Sequence, residues 1–151
     1  MDIRPATPAD IPALLALVRR YWDYEAIAGF EALRIELVLQ QLVAVAGARG
    51  AIWVAEVAGA LVGYLIVVLV MSVEHKGLMA EIDEFFVLPE ARSRGIGAAL
   101  LAAAEHALVQ RGCVRLQLQL GRDNARARTF YERRGYRTRA GYELLDKPLH
   151  E

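Results

Sequence analysis

The chain has 151 residues, 56% of them hydrophobic and 24% charged, enough for one compact domain with a full-sized core. Its 18 basic and 18 acidic side chains cancel, which argues against a binder of phosphate backbones, and its single cysteine, Cys113, excludes a disulfide framework or a thiolate zinc cage. The start, Met1-Asp2-Ile3-Arg4-Pro5, lacks the basic patch and apolar run of a secretory leader, so the expected compartment is the cytoplasm.

Ile3-Arg4-Pro5 reads as a short edge strand and Ala6 to Asp10 as a turn into a helix whose apolar stripe, Leu14, Leu15, Leu17 and Val18, runs up to Arg20. Tyr21 to Phe30, rich in aromatics and acids, reads as a loop. A second helix is expected over Glu31 to Ala46 with Leu33, Leu37, Val38 and Leu42 facing inward, ended by Gly47 and Gly50. The charge-free run Val57 to Val73 is 17 residues long, just short of a membrane span. Its valines and glycines, following the strand-like Ile52 to Glu56, favour a β-hairpin folded at Ala58-Gly59 with a long buried second strand, and no membrane partner.

After a loop around Ser72 to Gly77, Ala80 to Leu88 reads as a strand closed by Pro89. Regular alternation sets Glu81, Asp83, Phe85 and Val87 on one face and Ile82, Glu84, Phe86 and Leu88 on the other. Arg92 to Gly97 is a glycine-bearing turn, and Ala98 to Arg111 a helix capped by Gly112. Val114 to Leu120 alternates as a half-buried strand. Asp123 or Asn124 can cap a helix reaching Arg134 and stopped by Gly135, and Tyr136 to Leu149 reads as one or two last strands. The order predicts a single α/β domain over 1–151, with a mixed, mainly antiparallel twisted sheet, flanking helices and one parallel crossover.

Charge is unevenly spread: residues 1–91 carry net −6 and residues 92–151 net +6, an asymmetry expected of two ligands of opposite sign or of clustered solvated arginines. The segment Val87 to Leu100 carries the most chemistry. A strand enters a turn whose glycines open a helix, so unpaired main-chain N–H groups and the positive helix pole converge where phosphate oxygens fit. Arg92 and Arg94 add charge. A Walker loop would end in Gly-Lys-Ser/Thr, which is absent, and a dinucleotide fingerprint would have a third glycine where Leu100 stands. A diphosphate cradle or a tight turn needed only for packing remain.

Arg92-x-x-Gly95-x-Gly97 after Val87-x-Pro89, with Asn124 and Phe130-Tyr131-Glu132-Arg133-Arg134-Gly135-Tyr136 further on, resembles the GCN5-related N-acetyltransferase (GNAT) family over nearly the whole chain. Ile3-Arg4-Pro5-Ala6-Thr7 with Ala9-Asp10, Tyr24-Glu25 and Phe85-Phe86-Val87 are most similar to its diamine and thialysine acetyltransferases. The resemblance implies a splayed sheet and acetyl-CoA as the cofactor. Its pantetheine arm would lie along Phe85, Phe86 and Val87, and its diphosphate would rest on Arg92, Ser93, Arg94, Gly95, Ile96, Gly97 and Ala98. Asn124 would meet the arm, with Arg126 or Arg133 at the 3′-phosphate.

Tyr131 falls at the general acid of that family, against the alternative of an aromatic on an amphipathic helix. Asp83 stands where the diamine enzymes carry a glutamate; its shorter side chain implies a water relay, or Glu81 as base instead. Tyr24 and Glu25 match the substrate-facing pair and, with Asp23, Glu74 and Asp83, would line an acidic pocket for an amine. No metal is expected, since His106 and His150 lack partners at ligand spacing; His75, in a Glu-His-Lys-Gly loop, reads as a surface histidine or a second proton acceptor. The expected activity is acetyl transfer to a primary amine of a small molecule by direct attack. Acetylation of a protein or peptide, or a non-catalytic acyl-CoA sensor, are the alternatives. A homodimer is compatible with the resemblance.

Overall fold

The computed structural model describes residues 1–44 and 47–150. The chain divides into a larger unit, Met1–Leu118, and a smaller one from Gln119 onward. In the larger unit the strands β1 (Asp2–Pro5), β2 (Gly50–Val57), β3 (Ala60–Ser72), β4 (Gly77–Val87) and β5 (Arg115–Leu118) form one sheet in chain order. The first four pair antiparallel and β5 joins β4 in parallel. The helices are α1 (Ile11–Tyr24), α2 (Ala32–Val43), α3 (Ile96–Gln110) and, in the smaller unit, α4 (Ala125–Glu132). This is the expected mixed α/β sheet, with α3 as the parallel crossover.

The β2–β3 hairpin turns at Ala58 and Gly59, both with positive φ (52° and 78°), the primed turn whose twist matches a two-residue connection. Ile52 to Ala55 and Tyr64 to Val67 are buried without alternation, so both faces of the central strands are covered. On one face α1 lays its stripe of Ile11, Leu14, Leu17 and Val18; on the other, α3 buries Ile96, Leu100, Leu101, Ala104 and Leu108. Each fully buried leucine contributes roughly 2 kcal/mol by removal from water. Arg4 ties β1 to its neighbours, donating to Asp10 at 2.7 and 2.9 Å and to Glu56 at 2.9 Å. That pairing holds the Asp10 carboxyl down at about 2.

Five expectations need correction. Helix α1 does not stop at Arg20: Tyr21 to Tyr24 form its last turn because Tyr21 packs on Phe86 and Tyr64, ring centroids 5.5 and 6.5 Å away, and Trp22 hydrogen-bonds β4. Along α2, Leu39 and Leu42 are buried, whereas Leu33, Leu37 and Val38 face solvent; the chain carries two apolar stripes and the sheet takes the one through Leu39 and Leu42. The expected end of α2 at Ala46 lies outside the described residues. Helix α3 begins at Ile96, two residues early, and β5 ends at Leu118, two residues early. Residues 136–150 form no strand, and Tyr142, Leu144, Leu145 and Leu149 are exposed there; their alternation has no ladder to join. No helix among the described residues is long and apolar enough to cross a membrane.

Candidate active site

Strand β4 is where the sheet changes character. Opposite β3, Ile66 pairs with Glu84 and Val67 with Ile82, so Asp83 is an extra residue, a bulge that bends the strand. On the other side, the parallel ladder with β5 ends at Ile82–Leu118 while β4 continues to Val87. Phe85, Phe86 and Val87 therefore lie beyond the last ladder pair, with Phe86 buried and its neighbours half-buried. Asp83 is the first residue past it. Glu81 remains inside, in register with Gln117.

The two adjacent carboxylates meet different surroundings. Glu84, on the face toward α1, accepts hydrogen bonds from Trp22 Nε1 and from the Tyr64 hydroxyl, both at 2.8 Å. Burial raises its pKa; the two donors pull it back and the charge of Asp83 pushes it up. Asp83 has no hydrogen bond or ion pair among the described residues, and although part of it reaches solvent, the protein around it displaces enough water to raise its carboxyl as well. Tyr21 lies in the joint field of Glu84, Glu25 and Asp83: burial first, then those three charges, push its phenol up to about 12. Tyr64 is raised by burial and by Glu84. Trp22, Tyr21, Tyr64 and Glu84 were not singled out from sequence. Regular alternation turned Glu84 away from Asp83, and a bulge leaves no mark in a hydrophobicity pattern.

Beyond Val87 the chain makes a single 3-10 turn at Pro89–Ala91 and then a nest. Ser93 and Gly95 both take positive φ, 65° and 77°. Gly95 caps α3 without any side-chain bond, and its carbonyl accepts from Ala99 N at 3.0 Å, so the amides of Ile96, Gly97 and Ala98 precede the first intrahelical bond. A Cβ on Gly95 would meet no side chain or distant backbone within 4 Å, so the glycine is required by its positive φ and not by crowding. Arg94 stands exposed beside it with no side-chain partner among the described residues. Arg92 is engaged: its Nε donates to the Val87 carbonyl at 3.0 Å and its Nη1 to the Tyr24 hydroxyl at 3.0 Å. Its guanidinium lies 4.7 Å from the Tyr24 ring centre and 5.7 Å from that of Phe86.

Tyr24 and Glu25 thus end α1 near the lip of the nest. Glu74 is elsewhere: it sits in the β3–β4 turn, 3.7 Å from His75 Nε2, and Gly77 alone is roughly 20 Å along the strand from Asp83 at ~3.3 Å per residue. Burial raises the Cys113 thiol, the opposite of what a nucleophilic cysteine needs. Within the smaller unit, Asn124 caps α4 through its side-chain oxygen, 3.1 Å from Ala127 N. Tyr131 is buried, its ring 5.3 Å from Phe130 and 5.4 Å from Tyr136. Arg126 and Arg133 are exposed.

A family model for the acetyltransferase (GNAT) family matches residues 12–136. The uncharacterized N-acetyltransferase YhfO of Bacillus subtilis (strain 168) is 30% identical over 147 residues, 94% of this chain and 93% of its own. Among solved structures, the integron cassette protein HFX_CASS3 from the mobile metagenome of Cole Harbour Salt Marsh superposes with TM-score 0.86 at 28% identity, covering 99% of this chain and 91% of that one. An aminoglycoside acetyltransferase, meta-AAC0020 from an uncultured soil metagenomic sample, solved with sisomicin, shares the fold with TM-score 0.80 at 18% identity, covering 99% and 96%. The opened β4 edge, the nest and these matches lead to one conclusion: the chain belongs to the GNAT family of acetyltransferases.

Proposed function

We propose that this acetyltransferase moves an acetyl group from acetyl-CoA to the primary amine of a small cationic molecule, of the polyamine or basic amino acid type favoured by the diamine and thialysine branch. One observation carries the reading. The β4–β5 ladder stops at Ile82, a carboxylate with a raised pKa stands at the next residue, and the strand then leads directly into a nest of main-chain donors. The residues fit the cofactor, since the amides of Ile96, Gly97 and Ala98 precede the first intrahelical bond and Gly95 brings no side chain to that corner.

When bound, acetyl-CoA supplies an activated thioester. Main-chain N–H groups from Ser93 to Ala98, with Arg94, hold a diphosphate, and Phe85 to Val87 receive the pantetheine arm. Asn124, Arg126 and Arg133 have the cofactor-side roles that the family motif implies. Glu25, Asp83 and Glu84, which share the field around Tyr21, favour a cation at the end of α1. An alkyl ammonium has a pKa of about 10 and is unreactive until it loses a proton. Asp83 takes that proton, directly or through water, because it stands just past the last ladder pair and its side chain has no hydrogen bond or ion pair among the described residues. Tyr131 has the general-acid role that the family motif implies, a phenol being able to donate a proton to a leaving thiolate. The working unit is a single domain acting in the cytoplasm, and the aminoglycoside acetyltransferase with the same fold is an example of that fold serving an amine-bearing small molecule.

The test is a thiol-release screen with acetyl-CoA against polyamines, diamines, basic amino acids and peptides. The expected result is turnover with small diamines or polyamines. Turnover with peptides alone overturns the small-amine reading, and binding of CoA with no thiol release from any amine overturns catalysis.

A further inference from the structure

The two arginines at the mouth of the nest are not equivalent. Arg94 is exposed and has no side-chain partner among the described residues, so its charge is available to an anion. Arg92 is half-buried and its fork is already committed: Nε to the Val87 carbonyl, Nη1 to the Tyr24 hydroxyl, and its plane against Tyr24 and Phe86. A second tie runs parallel, with Arg20 of α1 reaching Glu90 at 2.9 and 3.4 Å. Beyond Tyr24 the helix ends abruptly, since Ala26 has φ of 55°. The end of α1 at Tyr24, with Glu25 next to it, is therefore tied to the lip of the nest through Arg92, while Trp22 in the same turn is held to β4 by Glu84.

We propose that Arg92 is a positioning residue for the amine side of the site, clasping Tyr24 so that the end of α1 is held against the nest, while Arg94 provides the loop's cationic charge to a phosphate. A guanidinium suits such a clasp because its planar fork serves a carbonyl and a phenol together while its face stacks on aromatic rings. An ammonium carries the same charge but not that geometry. The inference rests on the proposed function for what the end of α1 contacts. The clasp itself is a feature of the larger unit alone.

The experiment uses the full chain, with CoA as probe, in a Trp53→Phe background that leaves Trp22 as the sole tryptophan. Trp22 is bonded to Glu84, so its emission and acrylamide quenching report the last turn of α1. Arg94→Gln should weaken CoA roughly tenfold and flatten the salt dependence, leaving the Trp22 signal unchanged. Arg92→Gln should alter CoA affinity less than about threefold and raise Trp22 quenching severalfold, as expected when a charge-assisted bond and a stacked ring are lost. Arg92→Lys should match Arg92→Gln in the tryptophan signal, because charge without the fork does not rebuild the clasp. Tyr24→Phe removes only the hydroxyl and should move Trp22 the same way by a smaller amount, which keeps the test decisive if the arginine variants do not fold. A loss of CoA affinity in Arg92→Gln as large as in Arg94→Gln overturns the proposal, as does an unmoved Trp22 signal in Tyr24→Phe. Failure of the parent protein to bind CoA would instead strike the proposed function, and the tryptophan arm would still decide the clasp.

Discussion

Asp83 and Glu84 are neighbours with opposite duties. Glu84 is bound by Trp22 and Tyr64 and serves to fix β4 against α1; Asp83 is unbonded and available to a proton. A base works only when ionised, and burial raises Asp83 above the usual carboxylate value, so activity should climb with pH along a limb displaced above the ordinary aspartate range. Asp83→Asn should lower kcat by roughly a hundredfold or more and abolish that limb, leaving only the rise set by the amine's own pKa of about 10. Since the raised carboxyl means that the folded state favours the protonated form, stability falls as pH rises through its titration. The asparagine variant should therefore melt no lower than the parent at neutral pH, and calorimetric melting separates lost chemistry from lost fold. Tyr131→Phe should cut turnover by about tenfold to a hundredfold while CoA affinity stays nearly unchanged, measured by steady-state kinetics beside calorimetry. Unchanged turnover would remove Tyr131 from its role.

At the scale of elements, β4 and α3 carry the site between them, one by ending a ladder early and the other by opening without a cap. Gly95 is the hinge of that arrangement, with φ of 77° and open space where a side chain would go. Gly95→Ala should cost about 1 kcal/mol of stability from left-handed strain. It should weaken CoA by at least about tenfold, because an L side chain disfavours the left-handed backbone that shapes the nest. Melting temperature and titration together check both. Much of this was legible in the chain itself: the hairpin at Ala58-Gly59, the closing Pro89 and the glycine turn into a helix are local chemistry. What was hidden depends on distant partners. The last turn of α1 forms because Phe86, Tyr64 and Glu84 receive Tyr21 and Trp22. Which stripe of α2 turns inward depends on the sheet, not on α2. A strand after Tyr136 needs a ladder that residues 136–150 do not find.

Across the whole molecule, the acidic first half and basic second half have a chemical reading: an amine and a phosphorylated cofactor are ligands of opposite sign. The acids around Tyr21 and the cation of Arg94 put both signs within the larger unit, so the division is finer than the halves of the chain suggest. Family membership was visible in the motif from Val87 to Gly97, and the roles of individual residues less so: Glu74 was grouped with the pocket acids by charge but lies in a distant turn, while Glu84 was grouped with none and anchors the aromatic cluster. The central claim is that the corner from Pro89 to Leu100 grips a diphosphate through its main chain. Isothermal titration of the full chain with CoA tests it most directly. The account predicts saturable one-to-one binding that weakens with added salt; a folded sample giving no heat at millimolar CoA would contradict it.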